Sequence, residues 1–345
     1  MLANGQSDFI ARAAHDRGLS TEAVEAPDGE GGVSQWLQIT LGGRVFLFSR
    51  GIILERDRPS DRMAGRHIND QALRLLRHKQ QTKAHLAAHG VSVPFGLSFH
   101  RRQMAEARAA FDRFSGPICI KPANGKGGAD TFPGVTDRAR YEAALDRVAA
   151  THQRFLIEDS LQAAPIRFFY IRPGIVGAKY GRPASVVGDG VSTIAALAKA
   201  RNDERARRAL PSHLPLPTDA DTEAYLAAQG LGLASVPPAS ERVFLRGTSN
   251  GSTGGDAIIC TDQVHPSYLE VMTQACRSVP GLHVTAVDAM IADIRQPAAP
   301  DNHWILELNG SPGYAPFCVP WEGEPIDVAG LVLDYLATDY PIDAD

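Results

Sequence analysis

The sequence predicts an α+β fold with mixed sheets in more than one lobe, and three observations support this. Strand-like and helix-like stretches alternate only loosely, whereas one doubly wound sheet needs regular alternation. Near the N-terminus, two strand-like stretches flank Gly42 and Gly43, which is typical of a β-hairpin. Late in the chain, two apolar stretches that carry carboxylates flank a turn at residues 296–302. We therefore expect a small N-terminal α/β unit followed by further sheets.

Length and composition limit the classes of partner. The chain has 345 residues, of which 44% are hydrophobic and 21% charged, enough for a sizeable core and two or three subdomains. A net charge of −4 and the absence of a long basic run give no reason to expect nucleic acid or a membrane as partner. The four cysteines form no Cys-x-x-Cys pair, and the start lacks the pattern of a signal peptide. These features predict a cytoplasmic protein.

Periodicity and turn residues predict the elements in order. Helices are predicted over residues 7–17, 69–89, 102–114, 137–152, 193–203 and 266–279. Strands are predicted over residues 35–40, 44–49, 118–121, 154–157, 167–171 and 175–180, besides the two late stretches. Residues 56–66 are interpreted as a charged connection, and residues 208–238 predict no clear element.

The late carboxylates are the most informative feature. Side chains alternate along a strand, so Glu307 and Asn309 would project to one side. Asp288 lies in the preceding strand-like stretch, and the turn between them would fold the two strands together. Two carboxylates and an amide could then meet and bind Mg²⁺ that carries a nucleotide's phosphates. The alternative for an isolated Glu-x-Asn is a polar strand edge that faces solvent.

Three other segments allow either a structural or a binding interpretation. Lys121 precedes a glycine-rich loop at residues 124–131, which suits either phosphate binding or a plain turn. Lys79 lies in a predicted helix, where a solvated face is the simpler interpretation. Residues 245–256 contain four glycines and many donors, which suits an anion, although a flexible loop is the commoner explanation. Residues 186–194 are explained by a turn and a helix cap alone.

Taken in order, these motifs resemble the ATP-grasp superfamily over roughly residues 70 to 335. They look most like the ATP-grasp half of cyanophycin synthetases and the ligase module of bifunctional glutathione synthetases. The resemblance divides the chain into an N-terminal α/β unit (1–75), an ATP-grasp lobe with a glycine-rich lid (76–160) and a C-terminal ATP-grasp lobe with the metal site (161–345). The matching segments are Lys79-x-x-Thr82-Lys83, Ile120-Lys121-Pro122, Leu156-Ile157-Glu158, Arg182-Pro183-Ala184, Gly188-Asp189-Gly190, Ser252-Thr253-Gly254-Gly255, Val287-Asp288 and Glu307-x-Asn309.

The resemblance also implies residue roles. ATP would be held by the two lysines, the lid glycines and a glutamate at the adenosine end, namely Lys79, Lys121, Gly125, Gly127, Gly128 and Glu158. Mg²⁺, with Mn²⁺ as the alternative, would be bound by Asp288, Glu307 and Asn309. The catalytic cations facing an acyl phosphate would be Arg167, Arg182 and Arg246. Substrate contacts would come from Ser249, Asn250, Ser252, Thr253, Gly254 and Gly255.

The implied activity is ATP-dependent amide-bond formation between a carboxylate, from an amino acid or short peptide, and an amine. An acyl phosphate would be the intermediate, with ADP and phosphate as products. Two alternatives remain, a nucleotide-binding module without ligase activity and a kinase that stops at the phosphorylated substrate. Gly251, Ala163 and Pro165 depart from the family pattern near the expected substrate contacts. The expected partners are a small-molecule acid and an amine, and a homodimer is compatible because the resembled enzymes are commonly oligomers.

Overall fold

The computed structural model describes residues 5–27, 33–56, 65–123, 130–249 and 251–338. The N-terminal part is an antiparallel five-stranded sheet in the order β1-β2-β3-β4-β5. Its strands are β1 (Thr21–Pro27), β2 (Val33–Leu41), β3 (Arg44–Ser49), β4 (Ile52–Arg56) and β5 (Gly65–His67). The β2–β3 pair confirms the predicted hairpin at Gly42 and Gly43, both of which have positive φ.

The predicted first helix is confirmed as α1 (Gly5–Asp16). Its apolar face packs into a core shared with the N-terminal sheet and the C-terminal end of the chain. At the end of α1, the Arg17 guanidinium pairs with both carboxylate oxygens of Asp334, at 2.7 and 2.8 Å. The N- and C-terminal parts of the described chain are therefore in direct contact.

The helix predicted over residues 69–89 is wrong in one respect, because the segment forms two helices. These are α2 (Asp70–Leu76) and α3 (Lys79–Ala88). His78 adopts non-helical dihedral angles, and the Thr82 hydroxyl donates to the carbonyls of Leu75 (3.0 Å) and His78 (3.2 Å). The Leu75 carbonyl, which would accept from the Lys79 N–H in a continuous helix, instead accepts from the His78 N–H and the Thr82 hydroxyl, and Lys79 begins a new helix.

The second sheet has four antiparallel strands in the order β6-β9-β7-β8. Its strands are β6 (Gly96–His100), β7 (Ile118–Pro122), β8 (Phe132–Val135) and β9 (Arg154–Asp159), with α4 (Met104–Ala109) and α5 (Arg138–Thr151). The predicted helix at 102–114 ends in a 3₁₀ turn over Ala110–Arg113. The Tyr141 hydroxyl donates to the Ala107 carbonyl at 2.6 Å and so joins the two helices inside an apolar core.

The third sheet carries most of the predicted site and begins with β10 (Ala164–Ile171) and β11 (Gly174–Arg182), which confirms the predicted strand pair. A small ribbon follows, made of β12 (Ser185–Val187) and β13 (Arg242–Phe244), with α6 (Ile194–Arg208) and α7 (Ala220–Ala227). The remaining elements are β14 (Asp256–Ile259), α8 (Pro266–Arg277), β15 (Val284–Ile291), β16 (His303–Asn309), α9 (Ala315–Cys318) and α10 (Val328–Leu336). The antiparallel strand order is β14-β11-β10-β15-β16.

The two faces of the third sheet differ in character. One face is apolar along its length and packs with α8 and with residues of α2 and α3. The opposite face bears charged side chains at one end, while Phe169, Ile171 and Val284 join the N-terminal core at the other. The sheet therefore offers a polar surface only where it approaches the second sheet.

The predicted divisions at residues 75/76 and 160/161 fall between the sheets, because β5 ends at His67 and β9 ends at Asp159. Independent folding of the three parts stays a prediction. The helices α2 and α3 both pack against β16, so the middle segment of the chain contacts the third sheet. No helix of the described residues is long and apolar enough to span a bilayer.

Asn69 ties the start of α2 to the third sheet. Its fully buried amide donates to the carbonyls of Val284 (2.7 Å) and Gly310 (2.9 Å). Its carbonyl oxygen accepts from the N–H groups of His283 (2.8 Å) and Val284 (3.2 Å). One side chain thus satisfies four backbone groups that no water can reach.

We expect Asn69→Ala to lower the free energy of unfolding by about 3 kcal/mol or more, because buried backbone donors and acceptors lose their partner. Urea denaturation followed by circular dichroism would measure the change. Asn302→Ala, at a more exposed turn, is the matched control, with an expected loss of about 1 kcal/mol. An equal effect of the two substitutions would contradict the assigned role of Asn69.

Candidate functional site

Four charged side chains form a row across the third sheet. Lys179 of β11 is in register with Arg167 of β10, Arg167 with Asp288 of β15, and Asp288 with Glu307 of β16. Residues directly opposite on neighbouring strands share one face of a sheet. Two cations therefore stand beside two carboxylates, and the predicted meeting of Asp288 and Glu307 on paired strands is observed.

Each carboxylate of the row holds a cation. The Arg167 guanidinium donates to both oxygens of Asp288, at 2.6 and 2.7 Å. The ammonium group of Lys79, in the first turn of α3, lies 2.8 Å from a Glu307 oxygen. These side chains are between 20% and 36% exposed, so water and ligands can reach both pairs.

An irregularity in β16 shapes this end of the sheet. Asp288 pairs with Glu307, whereas Ala289 pairs with Ile305, so Leu306 is an extra residue opposite the β15 strand. A bulge of this kind interrupts the alternation of side chains. As a result, Leu306 and Glu307 both line the adjacent cleft.

The predicted metal ligands have suitable donor chemistry. Asn309 follows Glu307 by two residues, and its amide oxygen accepts from the N–H of Ser311 at 3.1 Å. Two carboxylates and an amide oxygen are hard donors of the kind that bind Mg²⁺ or Mn²⁺. Within the described ranges, no group of three or more His, Cys, Asp or Glu residues could hold a metal ion. A divalent ion here would therefore depend on the carboxylate oxygens of Asp288 and Glu307. In the structure these two carboxylates pair with Arg167 and Lys79.

A second, buried ion-pair cluster lies in the neighbouring sheet. The Glu158 carboxylate of β9 pairs with Lys83 of α3 through one oxygen and with Lys121 of β7, at 2.5 Å, through the other. Burial opposes all three charges, yet the two lysines lower the pKa of Glu158, and Glu158 raises the pKa of Lys121. For Lys83 burial prevails and lowers the pKa. The Glu158 and Lys83 side chains are 2% and 5% exposed and belong to the protein interior, whereas Lys121 is 21% exposed at the edge of the cluster.

Gly96 makes room for Glu158. The two residues are directly paired between β6 and β9, and a Cβ on Gly96 would lie 2.6 Å from the Glu158 side chain and 3.2 Å from the Ile157 carbonyl. A larger residue there would displace the carboxylate that holds Lys83 and Lys121. The glycine therefore has a packing reason, although its backbone conformation is ordinary.

A cleft of about 540 Å³ brings most of the charged groups together. This volume is in the range of small-ligand sites. Its lining residues come from α3, from both the second and the third sheets and from the loop around Ser249, and they include Lys79, Lys121, Pro122, Thr131, Arg167, Lys179, Gly181, Ser249, Gly251, Asp288 and Glu307. The predicted phosphate-binding lysines and the two predicted metal-binding carboxylates thus share one cleft.

Several predicted site residues do not line this cleft, among them Asn309 of the predicted metal site, Glu158 and two of the three predicted catalytic arginines. Arg182 forms a two-point ion pair with Glu322, at 2.5 and 2.8 Å. Arg246 pairs with Asp219 at 2.5 Å and contacts the Thr222 hydroxyl. Glu158 is the buried counter-ion described above. The assignment of Arg182 and Arg246 to acyl-phosphate binding remains a prediction, and both are held by other partners here.

The predicted substrate loop is only partly in the cleft. Ser249 lines it and approaches Gly181 so closely that a Cβ on Gly181 would lie 2.8 Å from the Ser249 side chain. Residues 251–253 form a 3₁₀ turn that includes Ser252 and Thr253. Gly254 and Gly255 are buried, and the Gly254 carbonyl accepts from Arg205 at 2.9 Å. The predicted Asn250 and the lid glycines Gly125, Gly127 and Gly128 lie outside the described residues.

Two lysines of the site were not among the predicted site residues. Lys83 follows Lys79 by four residues, and this spacing places both on one face of α3. The spacing was visible in the sequence, but its partner Glu158 was not. Lys179 joins the charged row only through the register of β10 and β11, which no local pattern specifies. Asp256 is a further buried charge that the sequence did not indicate. It pairs with Arg201 and Arg205 and so holds the start of β14 on α6.

We expect Glu158→Gln to destabilise the fold by about 3–5 kcal/mol, because Lys83 and Lys121 then lose their buried counter-ion. The sign of the pH dependence follows from the lowered pKa of Glu158. Its contribution is complete above the ordinary carboxyl pKa of about 4.3 and is lost as pH falls through the lower pKa of the folded state.

Denaturant titrations between pH 3 and pH 7 would measure both effects, and Glu158→Gln should lack the acid-dependent loss. The control Glu142→Gln removes a carboxylate that is 42% exposed and should change stability by less than about 0.5 kcal/mol. Equal stability of the Glu158 and Glu142 variants would rule out the buried cluster as a structural element.

Comparison with known proteins identifies relatives of this chain by sequence. No family model matches the chain. The glutathione biosynthesis bifunctional protein GshAB of Clostridium perfringens is 34% identical over 267 residues, which are 76% of this chain and 34% of that protein. Cyanophycin synthetase of Trichormus variabilis is 29% identical over 322 residues, which are 92% of this chain and 35% of that protein. The chain therefore spans about a third of the length of these relatives.

A solved structure shows the same fold. The bifunctional glutathione synthetase of Pasteurella multocida superimposes with a TM-score of 0.71 over 96% of this chain and 44% of its own, at 24% sequence identity. The predicted resemblance to these two kinds of protein and the predicted α+β class are thus confirmed. The prediction of mixed sheets is wrong, because the strands of the described residues pair antiparallel. The paired sheets, the cleft between them and this likeness lead to one conclusion: the chain has the ATP-grasp fold that the sequence predicted.

Proposed function

We propose that the chain is an ATP- and Mg²⁺-dependent ligase that joins a carboxylate to an amine through an acyl phosphate, with release of ADP and phosphate. The observation that carries this proposal is the shared cleft, where Lys79, Lys121 and Arg167 stand beside Asp288 and Glu307. Phosphoryl transfer depends chiefly on positioning and on offsetting negative charge, and this cleft offers groups for both. The relatives named above are amide-forming synthetases, which supports the same reaction class.

The cationic side chains would act on the phosphates and on the acid. Lys121 is held in place by buried Glu158 and points its charge into the cleft, where it would bind a phosphate of ATP. Lys79 would change partner from Glu307 to a phosphate when the carboxylate is taken up by a cation. Arg167 is planar and would retain one edge on Asp288 while its remaining N–H groups bind the acid or the acyl phosphate.

Asp288 and Glu307, with Asn309, would hold the divalent ion, and the ion would offset charge on the transferring phosphoryl group. The sheet residues of the chain supply the alignment. Asp288 and Glu307 are directly paired on rigid strands, so their separation is set by the backbone. The amine would then attack the acyl carbon and displace phosphate, and residues around Ser249 at the other end of the cleft would contact the substrates.

The proposal also includes the cellular location, the substrates and the oligomeric state. A cytoplasmic location is consistent with four unpaired cysteine thiols, as expected in a reducing compartment. The substrates would be a small carboxylic acid, either an amino acid or a short peptide, and a small amine. A homodimer remains part of the proposal and can be measured by light scattering.

The deciding experiment is a coupled assay for ADP over pairs of amino acids, short peptides and amines, followed by mass spectrometry of the products. A ligase releases ADP only when acid and amine are both present, and the product gains the mass expected for an amide. Release of AMP would contradict the proposal. A stable phosphorylated product without amine would identify a kinase, and ATP binding without turnover on any pair would identify a binding module.

We expect Asp288→Asn and Glu307→Gln each to lower kcat/KM by at least about 100-fold, because each removes a charged ligand of the ion. Both variants should stay folded, since the two carboxylates are partly exposed. The control Asp203→Asn changes an exposed carboxylate that pairs only with Lys199 on α6, and it should retain full activity. Wild-type activity in either cleft variant would remove that residue from the site.

A further inference from the structure

Lys179 is the one member of the charged row whose ammonium group makes no hydrogen bond or ion pair with any residue that the structure describes. The other three members are paired: Arg167 with Asp288, and Glu307 with Lys79. Lys179 nevertheless lines the cleft and is only partly exposed. A partly buried cation without a counter-ion is available to pair with an anionic ligand that enters the cleft.

The neighbours of Lys179 favour an anion as that partner. Its directly paired neighbour is the Arg167 guanidinium, so two cations stand side by side. Like charges directly opposite one another are destabilising, and an anion between them would offset the repulsion. Burial, followed by the charge of Arg167, lowers the pKa of Lys179 to about 8, and the charge of Asp288 offsets this only in part.

The position of Lys179 separates this anion from the phosphates. Lys179 lies two strands away from Asp288, and neighbouring strands are about 4.8 Å apart, so the two backbones are separated by about 10 Å. Lys79, Lys121 and Glu307 lie on the opposite side of Asp288. Lys179 instead precedes Gly181 by two residues on β11, so the two share a face of the sheet, and Gly181 lies against Ser249, a predicted substrate contact.

We propose that Lys179 is a further substrate-binding residue, which pairs with a substrate carboxylate other than the one that becomes phosphorylated. The inference rests on the proposed ligase function and extends it to substrate class. The carboxylate has two sources: a second carboxylate of the acid, or the carboxylate of an amino acid that supplies the amine. In either case, one substrate carries an anionic group at a fixed distance from the reacting atom.

The kinetic test uses Lys179→Gln, Lys179→Arg and the control Lys199→Gln, a lysine on α6 whose side chain is 78% exposed. We expect Lys179→Gln to raise the KM of one non-nucleotide substrate about 10-fold or more, the effect of losing one charge-assisted hydrogen bond. The KM of ATP should stay within about twofold, Lys179→Arg should recover most of the loss, and the control should match the wild type. A raised KM for ATP alone, or no change in any KM, would overturn the proposal.

A labelling test works without turnover. The folded protein with Mg²⁺ and a non-hydrolysable ATP analogue is treated with an acetylating reagent, and acetylation of Lys179 is measured by mass spectrometry of peptides. The probes are L-glutamate and L-aspartate for the acid, glycine for the amine, and the α-amides of all three. Protection by a carboxylate probe but not by its amide supports the proposal and identifies the source of the carboxylate. Equal labelling with every probe overturns it.

The two tests also separate the inference from the proposed function. If no pair of substrates releases ADP with wild-type protein, the ligase proposal fails while the labelling result still decides the role of Lys179. If ADP is released and Lys179→Gln behaves as the wild type, the ligase proposal stands and Lys179 is not a substrate-binding residue.

Discussion

The site depends on α3, because this helix is held to two sheets by two lysines one turn apart. Lys79 pairs with Glu307 of the third sheet, and Lys83 pairs with Glu158 of the second. Residues four apart on a helix lie on one face and are separated by about 6 Å along its axis. One helical turn therefore brings the carboxylates of two sheets close to each other. This arrangement also places charged groups along the cleft between the sheets, because Lys121, which lines the cleft, pairs with the same Glu158.

The two sets of ion pairs differ in burial, and burial assigns them different physical roles. The Lys83–Glu158 pair is 5% and 2% exposed, so neither group can leave the other without exposing a charge to a low-dielectric interior. The Lys79–Glu307 pair is 29% and 36% exposed, and separation there costs little because water solvates both ends. The first pair holds structure, whereas the second can be exchanged for a ligand.

The sequence predicted the parts of this site that depend on local pattern. The spacing of Glu307 and Asn309, the turn at residues 296–302 and the strand around Asp288 were all readable, and the two strands pair as expected. The bulge at Leu306 was not, because it shifts register without changing the hydrophobic pattern. The break at His78 was missed for a similar reason: the apolar periodicity continues across it, while the Thr82 hydroxyl that completes it leaves no distinctive pattern.

The remaining differences between prediction and structure come from contacts between residues that are far apart in the sequence. Glu158 was assigned to the adenosine end from resemblance, yet its position as a shared counter-ion depends on α3 and β7 arriving from different parts of the chain. Arginine is the residue type expected for anion binding, but Arg182 and Arg246 pair with Glu322 and Asp219 and do not line the cleft. Residue type alone cannot separate a cation that waits for a ligand from one that already has a partner.

The charged row explains how the same strands can serve both structure and chemistry. Its two cations and two carboxylates occupy adjacent register positions, so the net charge of the row is close to zero. The ion pair between Arg167 and Asp288 reduces the repulsion between the two cations and between the two carboxylates. Binding a divalent ion at Asp288 and Glu307 would free Lys79 to bind a phosphate, while Arg167 would keep one edge on Asp288. The phosphates and the acid then meet cations already aligned by backbone pairing, which avoids reorganisation during the reaction. A nucleotide and its ion would thus complete a charge pattern that the strand register has set in advance.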